Sequence, residues 1–224
     1  MGKIKIVILD LDQTIVDSCR RFHEIFNSKL VEFGGEPVDW NRFRALYAED
    51  RLDELIPEGV EREVFWKAFR RSYNTIIHPE DKLIPGVEDT LIELRRRGLK
   101  IVVTTGREVQ RDDIWRELEY FNIKDLVDEV YTLLDQDPGE EFVIFSRTGL
   151  INKILSAHNL SPSEALFVGD YWVDMESGRR AGVITVGVLT GHEPAERLLM
   201  HGANYIIEDI NSLPSLLDEI ESKP

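Results

Sequence analysis

Short apolar runs that alternate with amphipathic segments are the feature that most constrains the fold of this chain. The runs are rich in Val and Ile and apolar on both faces, as buried parallel strands are. The helical segment 88–97 starts with acidic residues, ends with three arginines and precedes Gly98, which suits the helix dipole and a glycine C-cap. The alternation predicts an α/β fold with a doubly wound parallel sheet. The predicted strands lie in 4–9, 99–104, 128–134, 165–169, 183–189 and 203–207, and the other helices in 148–158, 174–181, 194–200 and 212–221.

Residues 15–82 interrupt this alternation and contain no predicted strand. Apolar and aromatic residues recur there at helical spacing, and Pro37, Pro57 and Pro79 divide the segment. The spacing favours core packing within a helical bundle. We therefore predict an α/β core domain formed by 1–14 and 83–224, with a small helical cap domain, 15–82, inserted after the first strand. Clefts between domains are common ligand sites.

Composition excludes several classes of partner. The 224 residues carry a formal net charge of −15, which repels nucleic acid and anionic lipid but not a small anion that arrives with a cation. The single cysteine, Cys19, permits no intrachain disulfide and suits a reducing compartment. The chain shows neither a signal-peptide pattern nor an apolar run near the ~18 residues of a membrane span. We expect a cytoplasmic protein that binds neither nucleic acid nor membranes; its oligomeric state is left open.

Two acids end the first apolar run, in the stretch ILDLDQTIVDS. Asp10 and Asp12 stand at positions i and i+2 and would share one face of a strand. Such a pair is often a structural feature or a helix N-cap. Here it lies at the carboxyl end of a buried strand, where open α/β sheets bind ligands. Like charges this close need a cation or a shared proton.

Two further strand ends carry polar groups. In VVTTGRE, Thr104, Thr105 and Gly106 offer hydroxyl and backbone N–H groups that suit phosphate oxygens, although Thr105 alone would be an ordinary helix cap. In FVGDYWVDM, Asp170 and Asp174 offer oxygen ligands of the kind that Mg²⁺ prefers. We favour Asp170 as a ligand. For Asp174, metal binding and capping of the following helix both remain open.

The ordered set of motifs resembles the haloacid dehalogenase superfamily of phosphatases, in particular the phosphoglycolate phosphatase-like group with a helical cap. DLDQT resembles the nucleophile motif, VVTTGR the second motif and GDYWVD the fourth. The segments IPGVEDTLIELRRRGLKIVVT and AGVITVGVLTG also resemble flanking parts of that group, so that the likeness covers roughly residues 4–218. The resemblance implies a sheet core, a helical cap and hydrolysis of a small phosphorylated metabolite.

The same resemblance implies how the work is divided among these residues. Asp10 would attack phosphorus and form an aspartyl phosphate. Asp12 would protonate the leaving alkoxide and later take a proton from water. The Thr104 hydroxyl, with the N–H groups of Thr105 and Gly106, would hold the phosphate oxygens.

A magnesium site is also implied. Mg²⁺ would be bound by Asp10, by the main-chain carbonyl of Asp12 and by Asp170, with Asp174 bound directly or through water. The ion would let an anionic nucleophile approach an anionic phosphate.

The sequence departs from the family pattern at two positions. Gln13 stands where the family usually has Gly. The usual Lys-Pro pair of the third motif is absent, and Phe145 falls near its place. The cations nearby are Arg147, just before a predicted helix, and Lys153 within it. We favour Arg147 as the residue that balances the phosphate charge and expect Lys153 to face solvent.

Other activities remain as alternatives. A dehalogenase would have no use for an acid at position 12, and a phosphonatase would need a cap lysine, which nothing distinguishes among Lys29, Lys67 and Lys82. A sugar phosphomutase differs mainly in the acceptor of the phosphoryl group. A non-catalytic phosphate- or metal-binding regulator is the alternative from another class, and intact Asp10 and Asp12 argue against it.

Overall fold

The computed structural model describes residues 3–74, 77–136 and 145–222. The chain divides into two compact units. The first comprises 1–17 and 83–224, and the second comprises 18–82.

The first unit is built on a six-stranded parallel sheet within the described ranges, with the strand order β5-β4-β1-β6-β7-β8. A pair of two-residue strands, β2 and β3, lies where the chain leaves and rejoins this unit. The strands are β1 (Ile6–Asp10), β2 (Val16–Asp17), β3 (Lys82–Leu83), β4 (Lys100–Thr104), β5 (Glu129–Tyr131), β6 (Ala165–Gly169), β7 (Ile184–Val188) and β8 (Tyr205–Ile207).

Five α-helices of the described residues lie close to the five predicted segments, and no bounds were predicted for the other four, which include the three helices of residues 18–82. No helix of the described residues is long and apolar enough to cross a membrane. The α-helices are α1 (Cys19–Glu32), α2 (Trp40–Ala48), α3 (Arg62–Tyr73), α4 (Val87–Arg96), α5 (Arg111–Tyr120), α6 (Thr148–His158), α7 (Trp172–Ala181), α8 (Ala195–His201) and α9 (Leu213–Ser222).

Strand β1 shows why the sheet is buried on both faces. Its side chains alternate between two apolar clusters: Val7 and Leu9 pack into one, Ile6 and Ile8 into the other. Helices α4, α5 and α9 contribute to the first cluster and α6 to the second. Full burial of each such side chain is worth about 1.5–3 kcal/mol. The predicted doubly wound α/β fold with an inserted helical segment is confirmed.

The second unit is a helical bundle with an aromatic core. Phe26, Phe43 and Phe65 are fully buried in it. Phe22 makes ring contacts with several neighbours, including Phe69 at 4.5 Å between ring centroids. The aromatic residues of this segment therefore act as core, as their spacing predicts.

The chain passes between the units a few residues later than the predicted domain boundary at 14/15. Ile15 and Val16 are fully buried in the main cluster of the first unit. Val16 and Asp17 form β2, which pairs with β3. The expectation that 15–82 contains no strand was thus wrong at its two ends, because two residues are too few to give an alternating pattern.

Candidate active site

The register of the sheet brings three of the predicted site residues to one edge. Asp10 is the last residue of β1 and pairs with Thr104, the last residue of β4. On the other side β1 pairs with β6, with Leu9 opposite Val168. Asp170 directly follows β6. Because all these strands are parallel, their carboxyl ends meet at the same edge.

Three carboxylates converge at this edge. Asp10, Asp170 and Asp174 each offer a ligand oxygen, and these oxygens lie within 4.8 Å of one another. All three residues are buried. A Cβ atom at Gly169 would lie 2.2 Å from an Asp174 oxygen, and one at Gly191 would lie 1.9 Å from an Asp170 oxygen. The backbone therefore passes very close to the Asp174 and Asp170 carboxylates, and only glycine, which has no Cβ atom, fits at these two positions.

Burial and mutual repulsion set the ionisation of this cluster. Burial raises the pKa of Asp170 well above its ordinary value, and the neighbouring Asp10 and Asp12 carboxylates raise it further. Burial also raises the pKa of Asp10, although the Arg147 guanidinium works in the opposite direction. Burial of three carboxylates together, two of them with a raised pKa, fits a divalent cation, which would supply the balancing positive charge.

Arg147 is the cation that reaches the cluster. It precedes α6 as its N-cap, and its side chain is 4% exposed. Nη1 donates to Asp10 and, at 3.4 Å, to the Thr104 hydroxyl, while Nη2 donates to Asp174. Its Nε is buried, with no hydrogen-bond partner among the residues that the structure describes. Lys153 lies further along α6 and donates to the Asp135 carbonyl at 2.7 Å on the surface.

The Asp12 side chain is bound by a different arginine from the one that reaches the carboxylate cluster. Arg107 holds it through two hydrogen bonds, from Nε to Oδ2 at 2.8 Å and from Nη2 to Oδ1 at 3.3 Å. The two acids of the DLD motif therefore contact different arginines. This separation matches a division into a nucleophile and a proton carrier.

The loop after β4 places the predicted phosphate-binding groups. Thr104 and Thr105 are buried, and the Thr105 hydroxyl accepts a hydrogen bond from the Arg107 N–H at 3.2 Å. The Thr105 N–H donates to the Tyr131 carbonyl at 3.1 Å, so this amide already has a hydrogen-bond acceptor within the protein and does not point to a phosphate. A Cβ atom at Gly106 would meet the Phe145 ring at 3.2 Å.

Gln13 adopts the conformation that explains why the family has glycine at this position. Its φ is +61°, in the left-handed region that costs a residue with a side chain roughly 1–2 kcal/mol. The turn is nevertheless tied down: the Gln13 N–H donates to the Val16 carbonyl at 2.7 Å, and the Thr190 hydroxyl donates to the Gln13 carbonyl.

Two residues of this region were not predicted from the sequence. Arg107, to which no role was assigned, is the last residue of the VVTTGR motif, and Glu117 belongs to none of the motifs. The sequence does hold a signal: Glu117 occupies a core-facing position of α5, with the buried Ile114 and Leu118 three residues before and one after it. A charged residue on that face needs a buried partner.

Comparison with known proteins agrees with the geometry. The family model of the haloacid dehalogenase-like hydrolases matches residues 7–188. Because this match spans most of the chain, the protein belongs to the haloacid dehalogenase-like hydrolase family. The resemblance drawn from the sequence motifs is thereby confirmed.

The relatives are phosphatases by name. The chain is 22% identical to a phosphoglycolate phosphatase of Synechococcus elongatus, over 92% of this chain and 94% of the relative. It is 27% identical to an N-acetylmuramic acid 6-phosphate phosphatase of Pseudomonas aeruginosa, over 96% of each. The solved structure of a haloacid dehalogenase-like hydrolase from Streptococcus pneumoniae superposes with a TM-score of 0.76 at 22% identity, covering 96% of this chain and 99% of that one. The protein is thus an enzyme of this hydrolase family, and these curated relatives are named as phosphatases.

Proposed function

We propose that the protein is a Mg²⁺-dependent phosphatase that hydrolyses a small phosphate monoester through an aspartyl phosphate on Asp10. The observation that carries this proposal is the placement of two acids from one strand end: Asp10 lies against Arg147, and Asp12 lies against Arg107. Attack on phosphorus and protonation of the leaving group take place at opposite ends of one phosphoryl group. Two acids in different surroundings meet that requirement.

In the first step, an Asp10 carboxylate oxygen forms a bond to phosphorus and the ester P–O bond breaks. Asp12 gives its proton to the leaving oxygen, which departs as an alcohol. Arg147 touches the Asp10 carboxylate and so favours the ionised form that can attack. The Thr104 hydroxyl lies beside the same guanidinium, 3.4 Å from Nη1, and is placed to contact a phosphate oxygen.

In the second step, Asp12 takes a proton from water, and the water oxygen bonds to phosphorus. The bond from phosphorus to Asp10 breaks and inorganic phosphate leaves. General acid–base help of this kind is worth on the order of 10²–10⁴-fold in rate. The same carboxylate serves both steps, so its position decides both.

The Asp10, Asp170 and Asp174 carboxylates, together with the main-chain carbonyl of Asp12, would hold the metal. A bound Mg²⁺ supplies positive charge between the nucleophile and the phosphate oxygens. The Asp174 contact with Arg147 suits binding through water at least as well as direct binding.

The substrate is proposed only as a class. Two of the curated relatives are named for phosphoglycolate and for N-acetylmuramic acid 6-phosphate, which share a phosphate monoester on a small acidic metabolite. We propose that the helical unit, 18–82, serves as a cap that selects the leaving group, and that the enzyme works in the cytoplasm, as its single cysteine suggests.

The test is phosphate release from p-nitrophenyl phosphate and from a panel of phosphorylated metabolites, with Mg²⁺ and after metal removal with EDTA. Asp10→Asn should abolish turnover and should form no hydroxylamine-sensitive phosphoenzyme. Asp89→Asn, on the exposed face of α4, is the matched control and should behave as the unmodified protein does. Full activity in EDTA would contradict the proposed metal requirement. Activity of the Asp10→Asn variant would contradict the role of Asp10 as the nucleophile.

A further inference from the structure

Asp12, Arg107 and Glu117 form a chain of two ion pairs that share the Arg107 guanidinium. The Arg107 guanidinium stands between two carboxylates and donates two hydrogen bonds to each. Towards Asp12 they run from Nε and Nη2; towards Glu117 they run from Nη1 to Oε2 at 2.8 Å and from Nη2 to Oε1 at 3.1 Å. The side chains of Arg107 and Glu117 are 6% and 3% exposed.

The backbone of Arg107 is fixed as firmly as its side chain. Its N–H donates to the Thr105 hydroxyl at 3.2 Å, and its carbonyl accepts from the Leu133 N–H at 3.1 Å. The guanidinium is therefore held at the loop after β4 on one side and at α5 on the other. A planar fork that is fixed at both ends presents a fixed direction to the Asp12 carboxylate.

This chain is costly for the fold. Burying an ionised carboxylate such as Glu117 costs several kcal/mol, and well-packed apolar side chains usually serve stability as well or better. The inner face of α5 is otherwise apolar at its buried positions, Ile114 and Leu118. A functional requirement, rather than core packing, would account for Glu117 at this buried position of α5.

The contacts suggest what that requirement is. Glu117 holds the side of the Arg107 guanidinium that faces α5, so the guanidinium is fixed in the position from which it binds Asp12. The pair thereby orients the Asp12 carboxylate. Its Oδ1, with the longer contact of 3.3 Å, is the oxygen more easily released from the clamp.

We propose that Arg107 and Glu117 are positioning residues that hold the Asp12 carboxylate in line with the leaving oxygen. This inference rests on the proposed phosphatase function and adds two residues to it. Neither touches the phosphoryl group; they act through Asp12. Misplacement of a catalytic group by about 1 Å can cost on the order of 100-fold in rate.

The test uses the dependence of rate on the leaving group. Alkyl phosphates need a proton at the departing oxygen, whereas p-nitrophenyl phosphate leaves well without one. For Glu117→Gln, which keeps the shape of the side chain, kcat/KM should fall at least about tenfold for alkyl esters and less than about twofold for p-nitrophenyl phosphate. Arg107→Lys should show the same pattern, because an ammonium group cannot span both carboxylates.

A second readout concerns discharge of the phosphoenzyme, for which Asp12 takes a proton from water. With p-nitrophenyl phosphate, kcat and KM of Glu117→Gln should fall together, and phosphoenzyme should accumulate. The control is Glu119→Gln on the exposed face of the same helix, where the carboxylate pairs with Lys124 at 3.3 Å. It should leave every rate unchanged. Circular dichroism establishes that each variant is folded at the assay temperature.

The outcomes separate this inference from the function on which it rests. Equal losses of kcat/KM for alkyl and aryl esters, or a change confined to KM, would overturn the positioning role while the phosphatase stands. An unmodified protein that releases phosphate from no ester would overturn both proposals.

Discussion

Arg147 joins Asp10 to Asp174 across the carboxylate cluster, although 137 residues separate it from Asp10 in the sequence. The guanidinium is buried, and each of its terminal nitrogens donates to a different carboxylate. It is the only arginine or lysine of the described residues that is recorded in an ion pair with either Asp10 or Asp174. We propose that this guanidinium supplies the charge that the family usually takes from a lysine.

Arg147→Ala should lower kcat/KM by at least about tenfold at saturating Mg²⁺, equivalent to about 1.4 kcal/mol of transition-state stabilisation. The cause is loss of the positive charge beside the nucleophile and the phosphate oxygens. Lys153→Ala is the control, since its ammonium group binds the Asp135 carbonyl on the surface. Steady-state kinetics on both variants decide the matter, and the reverse pattern would assign the charge-balancing role to Lys153.

The sequence predicted the parts of the site that follow from sheet order. Asp10, Thr104 and Asp170 lie at the ends of three apolar runs that form neighbouring strands of the sheet, so their proximity follows from parallel pairing. The link from Arg107 to Glu117 depends on the register of α5 against the loop after β4. No local pattern contains that register. The position of Arg147 just before a helix indicated that its side chain could reach the strand ends. Its contact with Asp174 depends on how α6 packs beside α7, which the sequence pattern does not give.

Asp170→Asn should stabilise the metal-free protein at neutral pH. The folded-state pKa of Asp170 is raised above its ordinary value by burial and by its carboxylate neighbours. The folded protein therefore holds the Asp170 proton more tightly than the unfolded chain does. This contribution to stability is complete below the unfolded pKa and is lost as pH rises through the folded pKa.

The measurement is the free energy of unfolding by urea, in EDTA, at several pH values from about 4 upward. The advantage of Asp170→Asn over the unmodified protein should be largest near neutrality and should shrink as pH falls. Asp89→Asn, at an exposed position of α4, should show no such trend. An advantage that does not vary with pH would show that repulsion within the cluster is not its source.

Gly191→Ala should weaken metal binding more than it affects the chemistry. The added Cβ would lie 1.9 Å from Oδ2 of Asp170 and 2.6 Å from its Cγ, so the carboxylate would have to move. Displacing a ligand through its neighbours typically costs about 10–100-fold in metal affinity. We expect the Mg²⁺ concentration for half-maximal activity to rise by about tenfold or more, with kcat largely recovered at high Mg²⁺.

The control is Gly187→Ala in β7, where a Cβ would also be crowded, though less tightly, and would meet apolar side chains instead of a carboxylate. It would lie 2.8 Å from Cδ1 of Ile206 and 2.9 Å from Cδ1 of Leu198. That variant should lose stability without any change in the Mg²⁺ requirement. If both variants raised the requirement equally, overpacking of the core would be the cause.

Asp81→Asn should strongly destabilise the helical unit. Asp81 and Arg21 form an ion pair of 3.0 Å between Oδ2 and Nε, and neither side chain is exposed. Asp81 Oδ2 also accepts the His78 N–H at 2.8 Å, close to where the chain leaves the unit. Removing one partner leaves the Arg21 charge buried, and the cost of such a change is about 3–5 kcal/mol.

The adjacent pair provides a matched comparison, because Arg20 and Glu80 are the neighbours of Arg21 and Asp81 in the sequence. They approach only to 3.7 Å, with side chains 45% and 59% exposed. Glu80→Gln should therefore cost about 0–1 kcal/mol. Urea unfolding of both variants, followed by tryptophan fluorescence of the helical unit, compares the two costs directly. Similar small losses in both would mean that the surroundings of Arg21 compensate its guanidinium for the lost carboxylate.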